Sequence, residues 1–312
     1  MTTASNTRQS ASRRFSRLFS GGSGGTLPLG RQLMLQAICL FIAFTVLFPV
    51  LWIFSLSIDP RNISRPTELT LIPPGASFEA YQEVLRQPTS NPVSFWRLAL
   101  NSFLLAAGVG VVSVMVGVTA AYAFSRLRFV GRETLMLGVL GVLMLPAIAA
   151  LPALFVLLNQ VQFSNFNLRN SLIGVGMALV SGALPFAIWN LKGYLDTIPK
   201  DLEESATIDG ASRNEAFLFV ILPLATPALA VTGFLGFIAG WTEFATSWQF
   251  LTNPQDFTLI MALYNMVGQF AGQTPWSRLS AMALLIALPV SVVYLFLQRY
   301  ITSGLTIGGV KG

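Results

Sequence analysis

Histidine is absent from the chain, cysteine occurs once, and charge is scarce. Without histidine there is no Ser-His-Asp triad, no histidine-ligated zinc and no imidazole proton shuttle. A single cysteine, Cys39, excludes an internal disulfide and a thiolate cluster. Cys39 lies inside an apolar stretch, where a small buried residue is the expected role. It precedes most of that stretch instead of following it, unlike the acceptor cysteine of a lipoprotein. Charged residues make up 10% of the 312, against about 25% in an ordinary soluble domain.

What fills the chain is apolar: 54% of it is hydrophobic. Six windows, 32–58, 98–125, 134–168, 170–191, 216–242 and 279–298, contain no Asp, Glu, Lys or Arg and are between 20 and 35 residues long. A bilayer-spanning helix needs about 20. The pattern predicts an all-α integral membrane protein of six transmembrane helices. The apolar part of 33–58 exceeds the core of a cleaved signal peptide, so the first helix is expected to remain in the mature protein.

The division along the chain follows. Residues 1–32 read as a flexible basic tail without acidic residues, centred on Gly21-Gly22-Ser23-Gly24-Gly25. Its run Arg13-Arg14-Phe15-Ser16-Arg17 reads first as a positive flank that fixes orientation, with a seat on an anionic lipid surface as the alternative. Then come the first helix (33–58), an external loop (59–96), a core of five helices (97–300) and a terminal tail (301–312). With the amino terminus in the cytoplasm, only Arg61, Arg65, Arg86, Arg97, Arg169 and Arg278 of the 19 cationic residues fall outside, which places both termini in the cytoplasm. Topology thus explains the net charge of +6. No basic face interleaved with aromatics points to nucleic acid. The external loops 59–96 and 248–277 are long enough to be functional. Pro49, Pro146, Pro152, Pro185, Pro223, Pro227 and Pro289 fall in or beside the apolar windows, where breaks are tolerated beside protein or a water-filled cavity.

One inside segment, 193–217, differs from everything around it. Asp196, Asp201, Glu203, Glu204, Asp209 and Glu215 are six of the chain's 13 acidic residues. Its sequence predicts helix, turn, helix. Pro199 opens the first helix and acids lie at its positive dipole end. Ile198, Leu202 and Ala206 are spaced to share one face. Gly210 ends the helix in a left-handed cap, and Ser212 with Glu215 forms a capping box for the next. Either a helix that docks into a groove of another protein or a surface-lying connector has this pattern.

Glu203-Glu204-Ser205-Ala206, then Asp209-Gly210-Ala211, then Leu222-Pro223 and Pro227 resemble the EAA loop of permease subunits of ATP-binding-cassette importers. Ser205 stands where that family usually has a second alanine. Ala120-Ala121-Tyr122-Ala123-Phe124-Ser125-Arg126 and the end Gly304 to Gly312 resemble the maltose/maltodextrin branch of these permeases, and the likeness runs from about Leu33 to Gly312. The resemblance implies a type I importer (MetI-like) fold and a carbohydrate substrate. It implies a second, MalF-like permease subunit, a homodimeric ATPase inside and a sugar-binding protein outside. ATP and Mg would belong to the ATPase, with no cofactor in this chain and membrane lipids around it. It further implies that Glu203, Glu204, Ser205, Ala206, Asp209, Gly210 and Ala211 form a coupling helix in an ATPase cleft. The tail Gly308, Gly309, Val310, Lys311 and Gly312 would reach the ATPase dimer interface.

Substrate contacts are harder to read. Glu243 closes an uncharged stretch, and an intramembrane acid is a functional candidate; a place at the helix rim or a structural hydrogen bond fits it equally. Trp241 has the face to stack on a sugar ring, or to sit in an interfacial belt. Trehalose, glycerol phosphate or another oligosaccharide is an alternative cargo. A secondary transporter is the alternative class, but it calls for repeated halves with ionisable residues at mid-depth, and no such repeat is visible. An intramembrane enzyme needs a nucleophile with its base or a carboxylate pair, which the apolar windows do not supply.

Overall fold

The computed structural model describes residues 29–61, 70–164, 166–268 and 274–309. In order these form α1 (Leu29–Ser57), α2 (Glu79–Arg86), α3 (Phe95–Arg126), α4 (Arg132–Leu143), α5 (Ala147–Asn159), β1 (Gln162–Phe163), β2 (Phe166–Asn167) and α6 (Leu172–Leu195). Then follow α7 (Asp201–Ile208), α8 (Arg213–Leu224), α9 (Thr226–Trp241), α10 (Ala245–Phe250), α11 (Leu259–Asn265) and α12 (Trp276–Gly309). Four helices, α1, α3, α6 and α12, are long and apolar enough to cross a membrane singly. The pairs α4–α5 and α8–α9 supply a fifth and sixth span if each, bent by 105° and 76°, is one crossing. All six apolar windows are thereby accounted for. A two-stranded antiparallel hairpin, β1 with β2, was not anticipated.

The bends fall where proline removes donors. Pro146 stands between α4 and α5. Pro223 and Pro227 flank the α8–α9 bend at Ala225. Pro227 cannot donate to the Pro223 carbonyl, four residues back; the Thr226 hydroxyl donates to it instead, at 2.7 Å. Just before the bend the chain widens into a π-helical turn at Phe217–Ile221.

The interior mixes apolar side chains with small polar ones, and large apolar side chains also cover the outside. Asn101, Ser102, Ser113 and Thr232 are buried, while Leu40, Phe41, Met144 and Phe296 face outward. Helix α3 packs on both α6 and α9, α9 on α12, and α12 on α1. The α3–α9 contact is backbone against backbone. A Cβ on Gly240 falls 2.7 Å from Ala106 Cα, one on Gly236 falls 2.9 Å from Gly110 Cα, and one on Gly110 falls 2.9 Å from the Gly233 carbonyl. Small residues permit this approach where lipid offers helices no hydrophobic drive to associate. Asn190 of α6 adds a hydrogen bond to Thr232 of α9, 3.1 Å.

Several boundaries differ from expectation. The first helix starts at Leu29 instead of residue 33, and the last continues to Gly309, past the expected end at 300; a charge such as Arg31 or Arg299 bounds an apolar window without ending a helix, because its side chain disturbs no backbone hydrogen bond. Residues 1–28 lie outside the described residues. Cys39 is exposed, not buried, because α1 buries only Ser55 and Ser57 near its end. Segments 59–96 and 248–277 contain folded elements: α2 lies in the first, and the 3-10 turn Pro254–Asp256 and α11 lie in the second. The side chain of Asn101 donates to the carbonyls of Gln255 (2.8 Å) and Phe257 (2.9 Å), and the Leu259 amide donates to Ser102 Oγ (2.8 Å).

The seam makes a sharp prediction. Gly236→Ala is expected to destabilise the protein by about 1–3 kcal/mol through overpacking. Gly108→Ala, whose added Cβ meets nothing within 4 Å, is expected to be neutral or to stabilise by up to about 1 kcal/mol. Thermal melting in detergent of the two variants side by side checks this.

Candidate coupling site

The acidic segment forms helix, turn, helix, as its sequence predicts. Turns at Thr197 and Ile198 end α6. After Pro199, the Lys200 carbonyl accepts from the amides of Glu203 (2.9 Å) and Glu204 (3.1 Å) to open α7. At the other end Gly210 has φ +94°. Its amide donates to the Thr207 carbonyl (3.1 Å), and the Ala211 amide reaches back to the Ala206 carbonyl (2.9 Å). That double bond pattern is a Schellman cap. Ser212 and Glu215 then close the expected capping box: the Ser212 amide donates to Glu215 Oε2 at 2.7 Å and the Glu215 amide to Ser212 Oγ at 3.4 Å.

The face that α7 turns inward is not the expected one. Leu202 is 42% exposed, and the inward positions are Glu203 and Ala206. Ile198 is buried, but it precedes the helix, so helical spacing does not extend to it. Glu203 pairs with Arg126 at the end of α3: Arg126 Nε donates to Glu203 Oε1, and the two side chains are only 6% and 16% exposed. Tyr122 donates its hydroxyl to Glu203 Oε2 at 3.2 Å. A second Arg126 nitrogen donates to the Ile198 carbonyl at 2.8 Å. Removing one member of so enclosed a pair costs about 3–5 kcal/mol, since a charge is left unpaired.

A second ionic contact lies beside it. Ser125 Oγ donates to Asp196 Oδ1 and Lys192 Nζ to Asp196 Oδ2, both at 2.6 Å. Burial raises the Asp196 carboxyl, but the bonds from Lys192 and Ser125 and the charges of Lys192 and Arg126 outweigh it and hold its pKa below the ordinary value. The stability gained from ionised Asp196 is thus complete at neutral pH and is lost as pH falls through that lowered pKa.

Away from the bundle α7 presents Glu204, Ser205, Ile208 and Asp209, all exposed, Ile208 at 86%. Glu203, Glu204, Thr207, Ile208, Arg213 and Ala216 line an open groove of about 360 Å³. Of the expected coupling residues, Glu203 and Ala206 therefore face in, and Glu204, Ser205, Asp209 and Gly210 face out. Ala211 is half-buried.

The other expected residues lie elsewhere. Trp241 is 2% exposed, its indole N–H donates to the Ile286 carbonyl at 3.1 Å, and its ring stacks on Phe237 at 5.7 Å. Enclosed in this way, it offers a sugar no free face. Glu243 Oε1 accepts from the Thr246 amide at 2.5 Å and so caps the first turn of α10. This is the structural hydrogen bond among the three roles its position allowed. In the tail, Gly308 and Gly309 close α12, while Val310, Lys311 and Gly312 lie outside the described residues.

Four single spans and two bent apolar pairs, packed through small residues and carrying a capped acidic helix across one end, define a multi-pass helical membrane protein. Residues 113–307 match the family described as binding-protein-dependent transport system inner membrane component, and the chain belongs to that family. The match includes both Arg126 and Glu203. The chain is 36% identical to a galactooligosaccharide transport permease, GanQ of Bacillus subtilis, over 90% of this chain and 96% of the relative. It is 34% identical to the maltose/maltodextrin permease MalG of Escherichia coli K12, over 88% and 93%. Its fold is similar to a chain of a bacterial ABC transporter that imports the acidic polysaccharide alginate, with TM-score 0.68, 25% identity and coverage of 89% and 99%. The MetNI methionine ABC transporter shares the fold at TM-score 0.52 and 18% identity, over 73% and 99%.

The left-handed cap at Gly210 is testable alone. A Cβ there meets nothing within 4 Å, so the cost of a side chain is conformational only. Gly210→Ala is expected to loosen the turn by about 1–2 kcal/mol, and Gly210→Asn by less, because asparagine tolerates this region. Hydrogen exchange of the 205–212 amides reads the difference.

Proposed function

We propose that this chain is one half of the translocation path of an ATP-driven carbohydrate importer, with maltose/maltodextrin or a similar oligosaccharide as cargo. The observation that carries this is α7: an acidic helix closed by a Schellman cap at its C-terminal end, followed at once by the capping box that opens α8, and bonded to α3. A connector needs neither the paired stop and restart nor the largely enclosed ion pair. In this reading α7 enters a cleft of a homodimeric ATPase that holds ATP and Mg. Closure of that ATPase then moves α3, α6 and α8 together.

The remaining partners follow from the importer reading. A second, MalF-like permease completes the path, and an external sugar-binding protein delivers cargo against the outer segment 248–277. Both termini and α7 face the cytoplasm, in keeping with the excess of Lys and Arg on that side. The tail Gly308 to Gly312 reaches the ATPase. Relatives named for galactooligosaccharides, maltodextrin and alginate support an oligosaccharide cargo.

Purification of this chain from its native membrane in mild detergent is expected to recover a second permease and an ATPase, identified by mass spectrometry. Recovery of the chain alone, even after cross-linking, would overturn the reading. Gly210→Pro is expected to leave membrane insertion intact and to abolish sugar uptake; normal uptake by that variant contradicts the role given to α7.

A further inference from the structure

Glu203 and Glu204 are adjacent acids in the same helical turn, yet their surroundings are opposite. Glu204 is exposed. Both oxygens of Glu203 are engaged within its own chain, by Arg126 and Tyr122 of α3. Arg126 is enclosed too, and its second bond, to the Ile198 carbonyl, grips the chain on the other side of Pro199. Helices α6 and α8 reach the loop by covalent connection, whereas the polar links from α3 to it among the described residues are these bonds and Ser125–Asp196, beside the apolar packing of Ile198 with Ala121 and Tyr122.

We propose that Arg126 is a positioning residue: with Glu203 it latches α7 to the end of α3, so that Glu203 acts inward and Glu204 is the acid offered to the ATPase. The inference rests on the coupling reading above. Without the latch, a displacement of α7 reaches the bundle through its covalent links to α6 and α8 and through apolar packing, which resists sliding less than an ion pair does. With it, the displacement also enters α3, whose far end holds the outer segment through Asn101 and Ser102.

The assembled transporter in proteoliposomes tests this through sugar moved per ATP hydrolysed, a ratio that a loss of folded protein does not change. Arg126→Gln and Glu203→Gln are each expected to lower the ratio by about tenfold, and the double variant by no more than the worse single, as partners in one interaction should. Arg126→Lys is expected to keep part of the function. Glu204→Gln combined with Arg126→Gln is expected to multiply. If the effects of Arg126→Gln and Glu203→Gln multiply instead, Glu203 works outward and the latch is wrong.

Should the neutral variants fail to assemble, the exchanged pair Arg126→Glu with Glu203→Arg keeps one charge of each sign at the same junction. Recovery by the exchange of transport that Arg126→Glu alone loses supports the latch. An exchange no better than the worse single variant overturns it. Absence of any ATPase from the wild-type complex is a separate result, which removes the coupling function itself.

Discussion

The approach of α3 to α9 at backbone contact is the constraint on which the rest of the molecule depends. Helix α3 is 32 residues long, about 48 Å at the usual rise, and touches elements at every level: α2 and α11 at one end, α6 and α9 along its middle, the acidic loop at the other. Only a glycine and alanine seam lets it lie deep enough to do so. Were α3 held away by side chains, Asn101 would not reach the carbonyls of Gln255 and Phe257, nor Arg126 that of Ile198.

Around this seam three clusters divide the core by level. Val118, Ala121 and Tyr122 pack with Leu191, Leu195, Ile221 and Ala225 beside the acidic loop. Phe95, Leu98, Trp241, Leu259 and Met282 gather at the opposite end. Leu105 and Val109 meet Val175, Phe250 and Met261 in the third. Helix α3 contributes to all three. The ion pair at its end is therefore held by a packed neighbourhood, with Tyr122 wedged against Phe217 at 4.6 Å between ring centres.

Much of this was legible in the sequence because the signals are local. Charge-free windows find spans, and Pro199, Gly210 and the Ser212–Glu215 spacing specify a helix, a stop and a restart with no knowledge of what lies nearby. The direction in which α7 faces was not legible. Spacing put Leu202 inward, but the position is decided by Arg126, more than seventy residues earlier in the chain, which draws Glu203 in. An arginine after Ala120-Ala121-Tyr122-Ala123-Phe124-Ser125 reads as an ordinary flanking charge until the fold brings an acid to it. Trp241 was hard to place for a related reason: an aromatic residue near an apolar stretch suggests a path for substrate, and here its indole satisfies a carbonyl of α12, while Glu243 makes the structural hydrogen bond that its position had allowed. The glycine seam was present in the sequence as Gly233, Gly236 and Gly240, yet such a stripe gains meaning only when its partner, Ala106 and Gly110, is known.

The seam also has an electrical consequence. A cell membrane carries a voltage, and a continuous thread of water can conduct protons down it unless a charge or dipole along the thread bars them. Between α3 and α9 there is no room even for a methyl group at Gly240, Gly236 and Gly110, so no file of water molecules fits there. The packed α3–α9 contact thus offers ions no wire.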